Sequence, residues 1–148
     1  MNVTIRIQDG PLAAEAAADV GGIVLGAAGA VVCFDGVVRT EENGRDITAI
    51  DYEVYEPMAS RQLQRLAEEI GQSFGLLAIG VSHSRGRVMV GQCAFRLQVA
   101  TAHRGEALSA VAAFIDRMKR DVPIWKTAVY TDAQAGDSLP AERAAVRS

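Results

Sequence analysis

The sequence is poor in cysteine and histidine, with two of each among its 148 residues. Cys33 and Cys93 do not form a C-x-x-C pair, so neither a disulfide framework nor a zinc cluster is expected. Both cysteines lie in apolar runs, which is typical of buried, reduced thiols rather than of a thiol enzyme. His83 and His103 share no metal-ligand spacing with the carboxylates, so we expect no metal site.

Long apolar runs and basic stretches are missing as well. The longest uncharged run, residues 20–34, is too short to span a membrane and contains four glycines. The N-terminus has no basic stretch followed by an apolar segment, so no secretory signal is predicted and a cytoplasmic location is expected. The formal net charge of -3 argues against a general nucleic-acid binder, whose affinity depends on a basic face that contacts phosphates.

What is present fits one globular domain over residues 1–148, with 49% hydrophobic and 22% charged residues. Alternating apolar and polar residues predict strands, and a 3.6-residue period predicts helices. The predicted strands cover residues 3–7, 30–39 with an interruption at Gly36, 47–55, 76–81, 87–90, 93–99 and 124–130, and the predicted helices cover residues 11–20, 57–70 and 104–121. Strands and helices alternate irregularly, which indicates the α+β class.

Glycine and proline set several of the predicted boundaries. An Asn43-Gly44 turn signal places residues 41–46 in an exposed loop, and Ser84-Arg85-Gly86 is predicted to be a turn between two strands. Gly71 is placed to end the second helix, and Pro123 to stop the third. Residues 130–148 are largely polar and are expected to form a mobile tail.

Lysine is scarce: of the 15 basic residues, only Lys119 and Lys126 are lysines, and the other 13 are arginines. A desolvated lysine can lose its proton and relay protons, whereas a guanidinium stays charged. On count alone, chance placement of two lysines on a solvated surface is the favoured interpretation. The turn that follows Pro123 would bring a returning strand, and with it Lys126, back towards Lys119.

The third predicted helix gives Lys119 a position that favours function. Helical geometry predicts a buried stripe on this helix and places Lys119 on its apolar side, near the C-terminus. The predicted stripe consists of Leu108, Val111, Ala112, Ile115 and Met118. A lysine in that position either extends along the apolar surface to solvent or lines a pocket at the edge of the core.

The start of the same helix is a candidate anion site. His103 and Arg104 lie where a strand gives way to the helix, with Thr101 as a candidate cap. Exposed N–H groups and the positive helix end favour a phosphate there. Arg39, at the end of a strand, is another candidate anion ligand. A His-Arg pair or a single arginine is more often simply solvated.

Taken in order, these segments resemble the large, catalytic subunit of molybdopterin synthase. The resemblance covers roughly residues 30–130. Its last motif is Lys-x-x-x-Pro-x-Trp-Lys, which runs from Lys119 to Lys126. It is carried by residues 30–39 (AVVCFDGVVR), 50–59 (IDYEVYEPMA), 101–104 (TAHR), 107–108, 118–119 and 123–126. The ordered set is more specific than any one of these motifs.

The resemblance implies an α/β-hammerhead-type domain of the α+β class with an additional small antiparallel sheet. It implies a homodimer in which each protomer binds a small ubiquitin-like sulfur-carrier subunit, giving a heterotetramer. The carrier's C-terminal Gly-Gly thiocarboxylate would donate sulfur. The substrate, cyclic pyranopterin monophosphate, would receive two sulfurs and become molybdopterin. The reaction implied for this sulfurtransferase needs no metal or organic cofactor.

The resemblance also implies roles for individual residues. Lys119 and Lys126 would be the catalytic pair, stabilising developing negative charge and moving protons. The pterin and its phosphate would be bound by Phe34, Arg39, His103 and Arg104, the last two supplied across the dimer interface.

The chain departs from the family at several positions. Thr127 and Ala128 stand where a basic residue and a glutamate are common, Gln92 replaces an acidic residue, and Asp35 stands where threonine is common. These changes motivate a second hypothesis, a non-catalytic paralogue that binds the carrier or the pterin as a scaffold. A third is an unrelated small-anion-binding domain that uses Arg39 and the start of the third helix.

Overall fold

The computed structural model describes residues 1–14, 26–131 and 143–145, which form one eight-stranded sheet and two helices. The predicted α+β class is confirmed. The strands are β1 (Asn2–Asp9), β2 (Ala30–Val37), β3 (Glu41–Glu42), β4 (Arg45–Val54), β5 (Ala78–Met89), β6 (Cys93–Thr101), β7 (Ile124–Tyr130) and β8 (Arg143–Ala145). The helices are α1 (Met58–Phe74) and α2 (Arg104–Asp121). Neither is long and apolar enough to cross a membrane.

The sheet runs in the order β2-β6-β5-β4-β7-β8, with β1 paired to β5 in parallel and β3 paired to β4. Strand β5 joins two parts of the sheet. Its first part pairs with β1 up to Arg85 and with β6 up to His83, and its second part pairs with β4 from Gly86 onwards. The prediction of two strands separated by a turn was wrong here. Gly86 has a φ of 87°, so the strand changes direction and partner without leaving the sheet.

Both helices pack on the sheet around one main hydrophobic core. Helix α1 buries the face predicted for it, which consists of Ala59, Leu63, Leu66, Ala67 and Ile70. The helix continues past Gly71, contrary to the prediction, and ends at Gly75, which adopts the left-handed conformation that glycine favours. Gly71 lies so close to the side chain of Met1 that a Cβ atom would overlap it, so its role is close packing.

The buried stripe of α2 is rotated relative to the prediction. The buried residues are Ala107, Ala110, Val111, Phe114 and Met118. Leu108 is 58% exposed and Ala112 is also exposed, while Ile115 is half-buried. Two overlapping apolar stripes exist on this helix, and the alanine-rich one permits the closer approach to the sheet.

The predicted exposed loop at residues 41–46 is a short hairpin. Glu41 and Glu42 pair with Asp46 and Arg45, and the Asn43-Gly44 turn was predicted correctly, since both residues have positive φ values. The hairpin folds Glu42 inward, where only 16% of its side chain is exposed. A polar stretch with a turn signal does not reveal that one of its carboxylates faces the protein.

The structure differs from the predictions for the first helix and for the C-terminal tail. Leu12 forms a β-bridge with Cys93, so the helix predicted over residues 11–20 does not begin there, and residues 15–20 lie outside the described residues. Within the predicted tail, Arg143–Ala145 form β8 and pair with β7. This pairing depends on backbone hydrogen bonds to the unpaired edge of β7. It therefore cannot be predicted from the side chains of residues 143–145.

Candidate functional site

A cavity of about 210 Å³ lies where α2 ends beside the sheet. It brings together four of the six predicted site residues: Phe34, Arg39, Lys119 and Lys126. Among the described residues that line it, Glu42 is the one carboxylate, beside three cationic side chains. The other lining residues are Gly36, Val37, Val38, Ile50, Tyr52, His83, Ala94, Phe95, Ile115 and Met118. The cavity therefore combines apolar walls with a net positive charge, which suits a small anion.

Lys119 extends into this cavity from the last turn of α2, next to Met118 in the core. A cation at this end of a helix is favoured by the helix dipole. Burial nevertheless lowers the pKa of the Lys119 ammonium, and the positive charges of Lys126 and Arg39 lower it further, while Asp116 opposes them. This amine therefore loses its proton more readily than a solvated lysine does.

Lys126 reaches the same cavity from β7, where it lies opposite Tyr52 of β4. Its Nζ atom donates a hydrogen bond of 2.8 Å to Oε1 of Glu42. The side chains of Lys126 and Glu42 are only 13% and 16% exposed. Arg39, which is 74% exposed, places its Nη2 atom 4.0 Å from the other oxygen of Glu42. The two lysines thus differ: Lys126 has a carboxylate partner, and Lys119 lies between cations and the apolar wall.

Aromatic rings form part of the cavity lining. Phe34 is 39% exposed and contacts Phe95, with 6.1 Å between ring centroids. Tyr52 meets the ring of His83 edge-on at 5.2 Å. Burial, followed by the nearby charge of Glu42, raises the pKa of the Tyr52 hydroxyl to about 12, so it stays protonated. Sequence reasoning missed Tyr52 and Phe95, because alternation identifies them only as strand residues.

His83 is buried and neutral. Burial lowers its pKa to about 4, although a hydrogen bond with the carbonyl of Ser84 opposes the shift. Nδ1 of His83 lies 2.8 Å from that carbonyl oxygen. Because a carbonyl oxygen can only accept, Nδ1 must carry the hydrogen of this bond, and in the neutral ring Nε2 is then an acceptor.

Stability is expected to fall as the pH drops from 6.5 towards 4, because the unfolded chain takes up a proton on His83 before the folded chain does. The loss amounts to roughly 3 kcal/mol when both states are protonated. Denaturant unfolding at several pH values measures it, with His83→Gln as the matched variant. The variant should show a shallower decline over this window; parallel curves for the two proteins would contradict the assignment.

His103 and Arg104 do not reach the cavity within one chain. Both are exposed and lie at the start of α2, whereas Lys119 lies 15 residues further along the helix, about 22 Å away at 1.5 Å per residue. Thr101 does not cap the helix; its hydroxyl donates to the carbonyl of His103 instead. Within one chain, the predicted phosphate residues therefore lie at one end of α2, and Lys119 and the cavity lie at the other.

Two of the residues at which the sequence departs from the family, Asp35 and Gln92, form hydrogen bonds near the site. Asp35 forms a bidentate ion pair with Arg96, at 2.7 and 3.0 Å, and the Arg96 side chain is only 6% exposed. The side-chain oxygen of Gln92 accepts the backbone N–H of Met89 and stabilises the turn before β6.

The cysteines differ from the prediction of two buried thiols. Cys33 is exposed and Cys93 is half-buried, and both are free. Cys33 lies on β2, where only β6 pairs with it among the described strands, so an apolar run did not guarantee burial. Partial burial and the charge of Asp35 raise the pKa of both thiols, which makes them poor nucleophiles.

Comparison with known families matches residues 7–121 to the MoaE protein family. The molybdopterin synthase catalytic subunit of Dictyostelium discoideum is 37% identical over 106 residues, which cover 70% of this chain and 67% of that protein. The crystal structure of molybdopterin synthase from Staphylococcus aureus is similar with a TM-score of 0.76 and 30% identity, covering 86% of this chain and 91% of that one.

A solved complex of subunits 1 and 2 of molybdopterin-converting factor from Helicobacter pylori shares the fold, with a TM-score of 0.66 and 24% identity. The match covers 88% of this chain and 91% of that chain. The chain spans about half to two thirds of the length of the curated relatives it matches.

Proposed function

The chain belongs to the MoaE protein family, and from this premise we propose that it is the catalytic subunit of a molybdopterin synthase. In this proposal it moves sulfur from the C-terminal thiocarboxylate of a small carrier protein onto cyclic pyranopterin monophosphate. Two transfers give the dithiolene of molybdopterin. The observation that carries the proposal is the shared cavity of Lys119 and Lys126, whose three cations outnumber its one carboxylate.

The charge of the cavity suits the proposed donor. A thiocarboxylate is an anion at the end of a protein tail, and a Gly-Gly end is narrow enough to enter between apolar walls. Arg39 is largely exposed at the rim and is placed to meet the incoming anion first. Phe34 lines the same cavity, is 39% exposed and offers a ring face to the pterin.

The two lysines would divide the chemistry. Lys126, held by Glu42, supplies a fixed positive charge for the oxygen and sulfur of the thiocarboxylate. In each transfer the thiocarboxylate sulfur would form a bond to a carbon of the pterin precursor and displace an oxygen substituent from that carbon. Lys119, whose pKa is lowered by burial and by its cationic neighbours, would give the departing oxygen a proton. Water then hydrolyses the acyl group, which releases the carrier as a carboxylate and leaves the sulfur on the pterin.

The size of the cavity supports a homodimeric site. A volume of about 210 Å³ is below the roughly 300–1,000 Å³ of common small-molecule pockets, so one protomer encloses only part of the substrates. His103 and Arg104, exposed at the far end of α2, would complete the phosphate site of a partner protomer. One carrier for each protomer gives the heterotetramer, and the solved Helicobacter pylori relative is a complex of two subunits. A cytoplasmic location stays a prediction from the sequence.

Reconstitution tests the proposal. The protein is mixed with a thiocarboxylated carrier and cyclic pyranopterin monophosphate, and molybdopterin is measured by mass spectrometry. Steady product formation is expected, with none from a carrier that ends in an ordinary carboxylate. Tight carrier binding without product would favour the scaffold hypothesis, and absence of both binding and product would refute the proposed function.

A further inference from the structure

We propose that Glu42 is a positioning residue of the sulfur-transfer site, which fixes the Lys126 ammonium towards the cavity. The inference rests on the proposed function and extends it to a residue outside the motifs that carry the family resemblance. Glu42 belongs to the β3 hairpin and is 84 residues away from Lys126 in sequence.

The geometry of the pair separates it from an ordinary surface ion pair. Exposed pairs contribute little because water competes and both side chains lose freedom. Here the Nζ to Oε1 distance is 2.8 Å and neither side chain is more than 16% exposed. Both residues line the cavity, so the ammonium is oriented where a ligand would bind. The carboxylate therefore restricts Lys126 and leaves its other N–H donors to a ligand.

The hairpin explains how the carboxylate reaches this lysine. Asn43 and Gly44 form the tight turn with φ values of 53° and 74°, so Glu42 and Arg45 pair directly across it. The side chain of Arg45 stacks over the ring of Tyr130 at 4.0 Å, which anchors the hairpin to the end of β7. Glu42 is thus held against the strand that carries Lys126.

Position 128 cannot supply the carboxylate in this chain. Ala128 is 4% exposed and packs in a small apolar cluster with Val38, Ile47, Ile50, Val88 and Ala94. A glutamate there would be buried among these side chains. The carboxylate that contacts Lys126 comes instead from Glu42 of the hairpin.

Glu42→Gln tests the role, since glutamine keeps the shape and removes the charge. We expect kcat to fall about 10-fold while the dissociation constant of the carrier stays within about twofold, because the change concerns orientation rather than docking. Glu42→Asp should recover only part of the rate. Glu41→Gln, on the exposed neighbour in the same hairpin, is the control and should match the wild type. A lower melting temperature with unchanged kcat would make the pair merely structural and overturn the proposal.

A second measurement does not depend on turnover. Lys126 of the intact protein is labelled with acetic anhydride, and its rate is compared with that of Lys119 by mass spectrometry. Glu42→Gln should raise the labelling rate of Lys126 several-fold, whereas Glu41→Gln should not. Equal labelling in the wild type and Glu42→Gln would refute the positioning role. If the wild type made no molybdopterin, the proposed function would fail on its own, and the labelling would still report on Glu42.

Discussion

Replacing Lys119 by arginine is expected to lower the rate of molybdopterin formation about 100-fold or more, while the carrier still binds. Arginine keeps the positive charge and the approximate length but does not release its proton. General acid–base catalysis typically contributes 10²–10⁴-fold, and the lowered pKa of the Lys119 ammonium equips it for that role. Single-turnover assays with preloaded carrier measure the loss directly, without a contribution from product release.

The pH dependence sharpens this test. Because burial and the two neighbouring cations lower the pKa of Lys119, its titration in the wild-type rate profile should lie below the ordinary lysine value of 10.5. The Lys119→Arg profile should lack that titration. Arg120→Ala is the matched control, since Arg120 is 68% exposed in the same helical turn and lines no part of the cavity. Normal turnover by Lys119→Arg would reduce Lys119 to an electrostatic contact.

Elements whose signals are local were predictable from the sequence. Helix α2 begins and ends at the predicted residues, because an amphipathic period is followed by Pro123, which cannot continue a helix. Strand β7 has its predicted bounds as well. The interruption at Gly36 corresponds to a register shift between Gly36 and Val37 against β6. In each case, the residues that define the element lie next to one another in the chain.

Features that depend on distant contacts were not predictable in this way. The partner of Lys126 is a glutamate in a segment that composition describes as an exposed loop. The neutrality of His83 follows from complete burial beside Tyr52 and Phe95, which lie on two other strands. The pairing of the two lysines was anticipated from their scarcity, from the helical position of Lys119 and from the family resemblance. Arg39 and Glu42, which act on these lysines, belong to a segment about 80 residues earlier in the chain.

The orientation of α2 lies between these cases, because its sequence permits two apolar faces. The face centred on Leu108 and Ile115 carries larger side chains, whereas the face used is rich in alanine and includes Phe114. Alanines 107 and 110 are fully buried, so the helix backbone approaches the sheet closely and Phe114 fills the space that remains. Periodicity alone does not distinguish two faces about 100° apart; the fit to the sheet does.

Phe114→Ala is therefore expected to destabilise the protein by about 3–5 kcal/mol, whereas Leu108→Ala should change stability by less than about 0.5 kcal/mol. Phe114 is fully buried in the main core, and its removal leaves a cavity beneath the helix that carries Lys119. Leu108 is 58% exposed, so alanine loses few contacts there. Urea unfolding of both variants measures the difference. A larger loss for Leu108→Ala than for Phe114→Ala would contradict the observed packing and restore the stripe expected from the sequence.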